Sequence, residues 1–171
     1  MPDPTAAIVR FLTHIGIPVR AAAFAGVETV LPGIRVVDGT LEYDPARLRF
    51  PGDLLHEAGH LAIQPSALRA SMQGRFEADG GEEMAAIAWS YAAALAAGLD
   101  PAVVFHAQGY RGGAAALLEN FEAGHYVGVW SLARLGMTHE PRAAAANGQA
   151  AYPVMRRWRN DSPDERDARS S

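Results

Sequence analysis

Leu54-Leu55-His56-Glu57-Ala58-Gly59-His60-Leu61-Ala62 sets two histidines four residues apart inside an apolar run. Four helical steps of about 100° bring a side chain back to within about 40° of its start, so both imidazoles leave an α-helix on nearly the same side. One metal ion is within reach of both. Glu57, one step after the first histidine, stands beside such an ion without being drawn into its ligand set. Its carboxylate is therefore free to take a proton from a water activated there. Leu54, Leu55, Ala58, Leu61 and Ala62 cover the remaining faces, which predicts a largely buried helix ending at Gln64, ahead of Pro65.

Working upstream, Ile34–Val37 and Thr40–Tyr43 flank Asp38-Gly39. An Asp-Gly pair between β-prone residues is a strong hairpin signal, because both central positions of a type I′ turn need positive φ. A small antiparallel sheet is expected just before the motif helix. Asp53 stands near the start of that helix, where a carboxylate accepts backbone N–H groups and complements the dipole. Further upstream, Ile8, Val9, Phe11 and Leu12 recur at helical spacing between Pro4 and Gly16, predicting a packing helix.

Downstream, Ser66 is placed to cap a short helix running to Met72, and 73–81 is polar. Asp79-Gly80-Gly81-Glu82-Glu83 then opens an alanine-rich helix reaching about Gly98. Asp79 and Glu82 have the spacing of a capping box, which occupies Glu82 with backbone donors. Glu83 shares a face with Ile87 and Tyr91, the side predicted to be buried, and a carboxylate on a buried stripe needs a counter-charge. A metal would supply it. Later patterns predict helices from Asp100-Pro101 through His106, over Ala114–Phe121, over Tyr126–Leu135, and a short amphipathic piece over Tyr152–Trp158.

Composition narrows the function classes. The 171 residues suit a single domain over 1–159, followed by a polar, disordered tail over 160–171. The net charge of −4, with scattered arginines and no lysine, lacks the basic stripe of a nucleic-acid binder. The absence of cysteine leaves histidine and carboxylate as the metal-binding side chains. Asp3, Arg10 and His14 interrupt the N-terminus where an export signal needs an apolar run, and Met84–Leu99, the longest uncharged run, is short for a membrane span. A cytoplasmic protein with no membrane and no nucleic-acid partner is expected.

Neutral imidazoles and one carboxylate suit zinc and leave a fourth position open, as in a catalytic site. For the third ligand Glu83 leads, Glu82 is second, and His106 and His125 are further candidates. A metzincin extension would need glycine and histidine where Ile63 and Ser66 stand.

His56, Glu57 and His60, with a glutamate at the head of a downstream helix, resemble the zincin metallopeptidases in their gluzincin arrangement. The small frame, with a hairpin just before the motif helix, is similar to the ImmA/IrrE-type peptidases. His-Glu-Ala-Gly-His also resembles the peptidase domain of membrane-anchored AAA proteases, though no ATPase module accompanies it. The resemblance covers residues 34 to 98. Ile87 stands where the thermolysin kind would place an aspartate after Glu83.

The resemblance implies an α+β, mainly helical zincin-like fold with a small antiparallel sheet, and a zinc-dependent peptidase acting on a protein or peptide substrate. Zinc held by His56, His60 and Glu83 would acidify a water, and Glu57 would take its proton and pass it to the leaving amine. An oxyanion donor would come from His106, Tyr110, His125 or Tyr126, with His106 and Tyr110 preferred because glycine at 109 lets that loop approach the site. Two other readings share these residues: a non-catalytic zincin-fold binding or regulatory module whose metal is structural or lost, and a zinc hydrolase of a non-peptide amide or ester.

Overall fold

The computed structural model describes residues 3–29, 31–74 and 78–162. Helix α1 (Pro4–His14) starts with Asp3 capping Thr5 N–H at 2.9 Å. Three short strands follow: β1 (Val19–Ala21), β2 (Ile34–Val37) and β3 (Thr40–Tyr43). The Asp38-Gly39 hairpin forms as its sequence predicts, with positive φ at both positions and Val37 opposite Thr40. The sheet itself is mixed and not antiparallel throughout. Its order is β1-β3-β2, and β1 lies parallel to β3. A three-residue strand amid Pro18 and alanines carries no alternation by which to read it.

Two helices form the centre of the molecule. Helix α2 (Asp53–Ile63) carries the histidine motif and α4 (Gly80–Ala96) the carboxylate pair, and no other two elements pack as extensively. Gly59 lets them approach: a Cβ there would come within 3.0 Å of the Ala86 carbonyl oxygen. Leu54, Leu55, Ala58, Leu61 and Ala62 are all buried, as are Ala86, Ala88 and Trp89 of α4. The interface is thus built mainly from small residues on one helix and leucines on the other. Alanine's modest apolar area is offset by the short interaxial distance it permits.

Between the two lies α3 (Ser66–Arg69), shorter than the predicted run to Met72. Its first flanking residue is Pro65, and Ser66 supplies no cap. After α4 the backbone becomes less regular. The predicted helix from Asp100 is a single 3₁₀ turn, Pro101–Val103, capped by Asp100. Helix α5 (Ala114–Glu122) matches its prediction, whereas α6 (Val129–Arg134) begins three residues later than expected. Gly128 is left-handed there and sits against the Met84 carbonyl, where a Cβ would be 1.9 Å from the oxygen. Helix α7 (Pro141–Asn147) lies in an alanine run that gave no amphipathic signal.

Residues Tyr152–Trp158 form no helix. They run irregularly across α4, with Thr138 and Met155 in an isolated bridge. The Trp89 indole N–H donates to Trp158 O at 3.0 Å, and Tyr152 Oη donates to Ala88 O at 2.8 Å. The ordered chain also extends past the boundary expected at Asn160. Asn160 bonds Ala62 O and Ile63 O, and buried Asp161 pairs with Arg69 and Arg159. The rest of the expected tail, 163–171, lies outside the described residues. Among those described, no helix is long and apolar enough to cross a membrane.

Candidate metal centre

His56 and His60 leave α2 on the same side, as their spacing requires, and their Nε2 atoms stand 3.1 Å apart. Glu83, in the first turn of α4, faces both. Its Oε1 lies 3.2 Å from His56 Nε2 and its Oε2 3.1 Å from His60 Nε2. Each ring nitrogen thus faces its own oxygen of one carboxylate, and the separations of 3.1–3.2 Å close a triangle when that carboxylate is counted as a single corner. Three ligands of a tetrahedral ion with bonds of about 2.0–2.1 Å are separated by about 3.3–3.4 Å. The donor set and its spacing therefore fit zinc. The Glu57 carboxylate stands near the two histidines, with ligand atoms of His56, Glu57 and His60 all within 4.8 Å of one another.

The local sequence explains why Glu83 and not Glu82 takes this place. Asp79 accepts the Glu82 N–H at 2.8 Å and Glu82 Oε2 accepts the Asp79 N–H, closing the capping box. Gln64 donates to the other Glu82 oxygen at 2.9 Å. One residue later, the helix turns Glu83 toward α2. It is less enclosed than its stripe suggests, with 43% of its side chain exposed, because it sits at the open end of the helix pair.

The two carboxylates of this cluster are displaced in opposite directions. Hydrogen bonds from His56 and His60 hold the Glu83 carboxyl far below the ordinary carboxylate range, against a smaller opposing effect of burial. Burial by itself would lower His56, but the Glu83 contact, with Glu57 and Asp53 nearby, raises it overall. Glu57 is pushed up, chiefly by burial, with the two histidines pulling the other way. An ionised carboxylate beside two imidazoles is a metal-binding donor set, and at His56 a metal would compete with the proton that Glu83 favours.

A second layer surrounds the histidines. The Tyr110 hydroxyl lies 3.2 Å from His56 Nδ1, and the two rings meet edge to face. With a metal bound, Nε2 would present its lone pair and Nδ1 would carry the hydrogen, which the phenol oxygen is placed to accept; without one, the contact with Glu83 places a hydrogen on Nε2. Burial raises the Tyr110 hydroxyl well above the usual phenol range, so it remains protonated.

His106, a candidate ligand and oxyanion donor by sequence, is in the same pocket but outside the triangle. Its Nε2 lies 2.8 Å from Asp53 Oδ1, and Phe50 stacks flat on its ring at 4.0 Å. Asp53 therefore does not cap α2 as predicted; Gly52 flanks the helix with no side-chain bond, and the carboxylate serves His106.

The remaining candidates lie elsewhere. His125 is exposed on the connection between α5 and α6. Tyr126 packs in an aromatic group with Phe121 and Tyr152. His14 is exposed and His139 half-buried.

Phe50, Asp53 and Arg111 are site residues that spacing did not reveal. Tyr110 and Arg111 both have φ of 53°, a conformation that costs non-glycine residues about 1–3 kcal/mol each and persists where surrounding contacts impose it. Gly109, Gly112 and Gly113 around them were the visible signal of irregular backbone, without indicating which side chains it would aim at α2.

Comparisons with protein-family models, with curated proteins and with solved structures find no match to this chain.

Proposed function

We propose that the protein is a zinc-dependent hydrolase, with a peptide bond as its target. The carrying observation is the triangle of His56 Nε2, His60 Nε2 and a Glu83 carboxylate at 3.1–3.2 Å, with a further carboxylate, Glu57, beside it. Structural zinc sites close with four protein ligands, whereas three ligands and an adjacent base favour a catalytic one. Bound there, zinc supplies Lewis acidity toward a water and toward the substrate carbonyl.

The chain's own groups carry the proton traffic. Glu57 accepts a proton from the attacking water, which its raised affinity for protons favours. The same carboxyl then delivers it to the departing amine. His106 lines the pocket, but Asp53 holds its Nε2 and its Nδ1 is buried without a partner, so the ring, stacked on Phe50, shapes the wall and offers no free donor to the carbonyl oxygen. Tyr110 acts one step further out, through His56, and is assigned to positioning and not to the oxyanion.

Glu57→Gln tests this reading. The variant should retain zinc while hydrolysis of a peptide cleaved by the wild type falls by about 10²–10⁴-fold, the usual range for loss of a general acid-base group. Equal turnover by both proteins would refute the mechanism.

A further inference from the structure

Beside the histidine pair is a cavity of about 390 Å³, bounded by His56, Glu83 and Tyr110 on the metal side and by His106, Arg49 and Arg111 around its wall. That is the size range of a small-ligand pocket. Both carboxylates of its lining already have partners. Asp53 is paired with His106 at 2.8 Å, and Glu83 is engaged by both histidines. Arg49 and Arg111 are exposed and take part in no ion pair among the described residues.

Arg49 lies over the Phe50 ring, 5.4 Å from its centroid, and Phe50 in turn stacks on His106. Arg111 leaves the backbone from the left-handed pair it forms with Tyr110, whose hydroxyl meets His56, and its exposed side chain borders the same cavity. A guanidinium presents a planar fork of donors that matches a carboxylate. Two such groups lining one cavity, with both acidic lining residues already paired, favour an anionic ligand.

From this we infer that the pocket binds a carboxylate of the substrate next to the bond to be cleaved, through Arg49 and Arg111. The inference rests on the hydrolase reading for the role of the neighbouring cluster, but the arginine site is defined independently of turnover. Two sources share the chemistry: an acidic side chain and a free chain terminus.

The test measures binding to Glu57→Gln protein, with and without zinc, using four peptides. Tetra-alanine with a free C-terminus is compared with its C-terminal amide. An acetylated, amidated alanine peptide with one internal glutamate is compared with the same peptide carrying glutamine. At least one carboxylate peptide should bind about tenfold or more tighter than its neutral counterpart, and the pair that shows the preference identifies the source. Arg49→Gln and Arg111→Asn, the latter keeping a residue that tolerates left-handed backbone, should each reduce that preference, and Arg49→Lys should restore part of it.

Neutral peptides binding as tightly as both carboxylate peptides would overturn the inference, as would a preference untouched by either arginine variant. A preference present only with zinc and insensitive to the arginines would assign the carboxylate to the metal and also overturn it. If the preference holds while wild-type protein hydrolyses none of the four, the pocket stands and the peptidase reading weakens. Hydrolysis without preference gives the reverse.

Discussion

The two walls of the candidate site are built in opposite ways. On one side, His56, Glu57, His60 and Glu83 ride on α2 and α4, regular helices packed closely through Gly59 and Ala86. On the other, Phe50, His106, Tyr110 and Arg111 sit on irregular backbone, placed by a ring stack, an Asp–His pair and two left-handed residues. Helices fix the groups whose spacing must be accurate to tenths of an ångström, whereas the loop wall supplies shape and charge. Loops positioned by a rigid frame are the common place for recognition groups.

The largest expected effect comes from disturbing the helix pair. Gly59→Val pushes α4 away from α2 and should cost about 1–3 kcal/mol in urea unfolding, as overpacking usually does, with weaker zinc binding because Glu83 moves with α4. By contrast, Gly109→Ala brings a Cβ to 3.3 Å from the His106 carbonyl oxygen and 3.5 Å from its ring. It should disturb the turn that carries His106 and Tyr110 by a few tenths of an ångström and leave zinc affinity close to wild type. If both glycine variants lose zinc equally, the division into frame and wall is wrong.

Next in size is the contact that ties the loop wall to a histidine of the cluster. Tyr110→Phe removes the hydroxyl that meets His56 Nδ1 and should weaken zinc binding by about tenfold, the lower end for loss of such a partner, measured by competition with a chromogenic chelator. Thermal stability should change little. Unchanged zinc affinity would make Tyr110 a packing residue only.

The smallest effect lies away from the site, in the sheet. Glu42 on β3 is buried and accepts from Arg20 and Arg35, and the Arg20 hydrogen bond is the main reason its pKa is lowered. Because the folded pKa is below the unfolded one, the contribution is present in full above about pH 4.5, the ordinary glutamate value. It is lost as pH falls through the lowered folded value. Urea unfolding of Glu42→Gln should therefore differ from wild type at neutral pH, with the gap closing in acid. A gap that widens in acid would reverse the sign.

The same contrast explains what could be read in the residues. The hairpin, the motif helix, its stop before Pro65, the capping box and the assignment of Glu83 over Glu82 follow from short-range rules, and each depends on neighbours within a few positions. Asp53 was misread as a helix acceptor because its partner, His106, is 53 positions away. Strand β1, the late start of α6 at Gly128, and the strap over 152–161 depend on long-range contacts that no local pattern encodes. Arg49 and Arg111 look like ordinary surface arginines until the fold sets them around one cavity.

The most direct measurement is zinc content per chain, by elemental analysis after dialysis, for wild type, His60→Ala and Glu83→Gln, with circular dichroism to establish that each is folded. The account predicts one zinc in the wild type, and folded variants that retain little or none. A folded wild type that takes up no zinc, or a Glu83→Gln protein that holds it as tightly as wild type, would contradict the three-ligand centre.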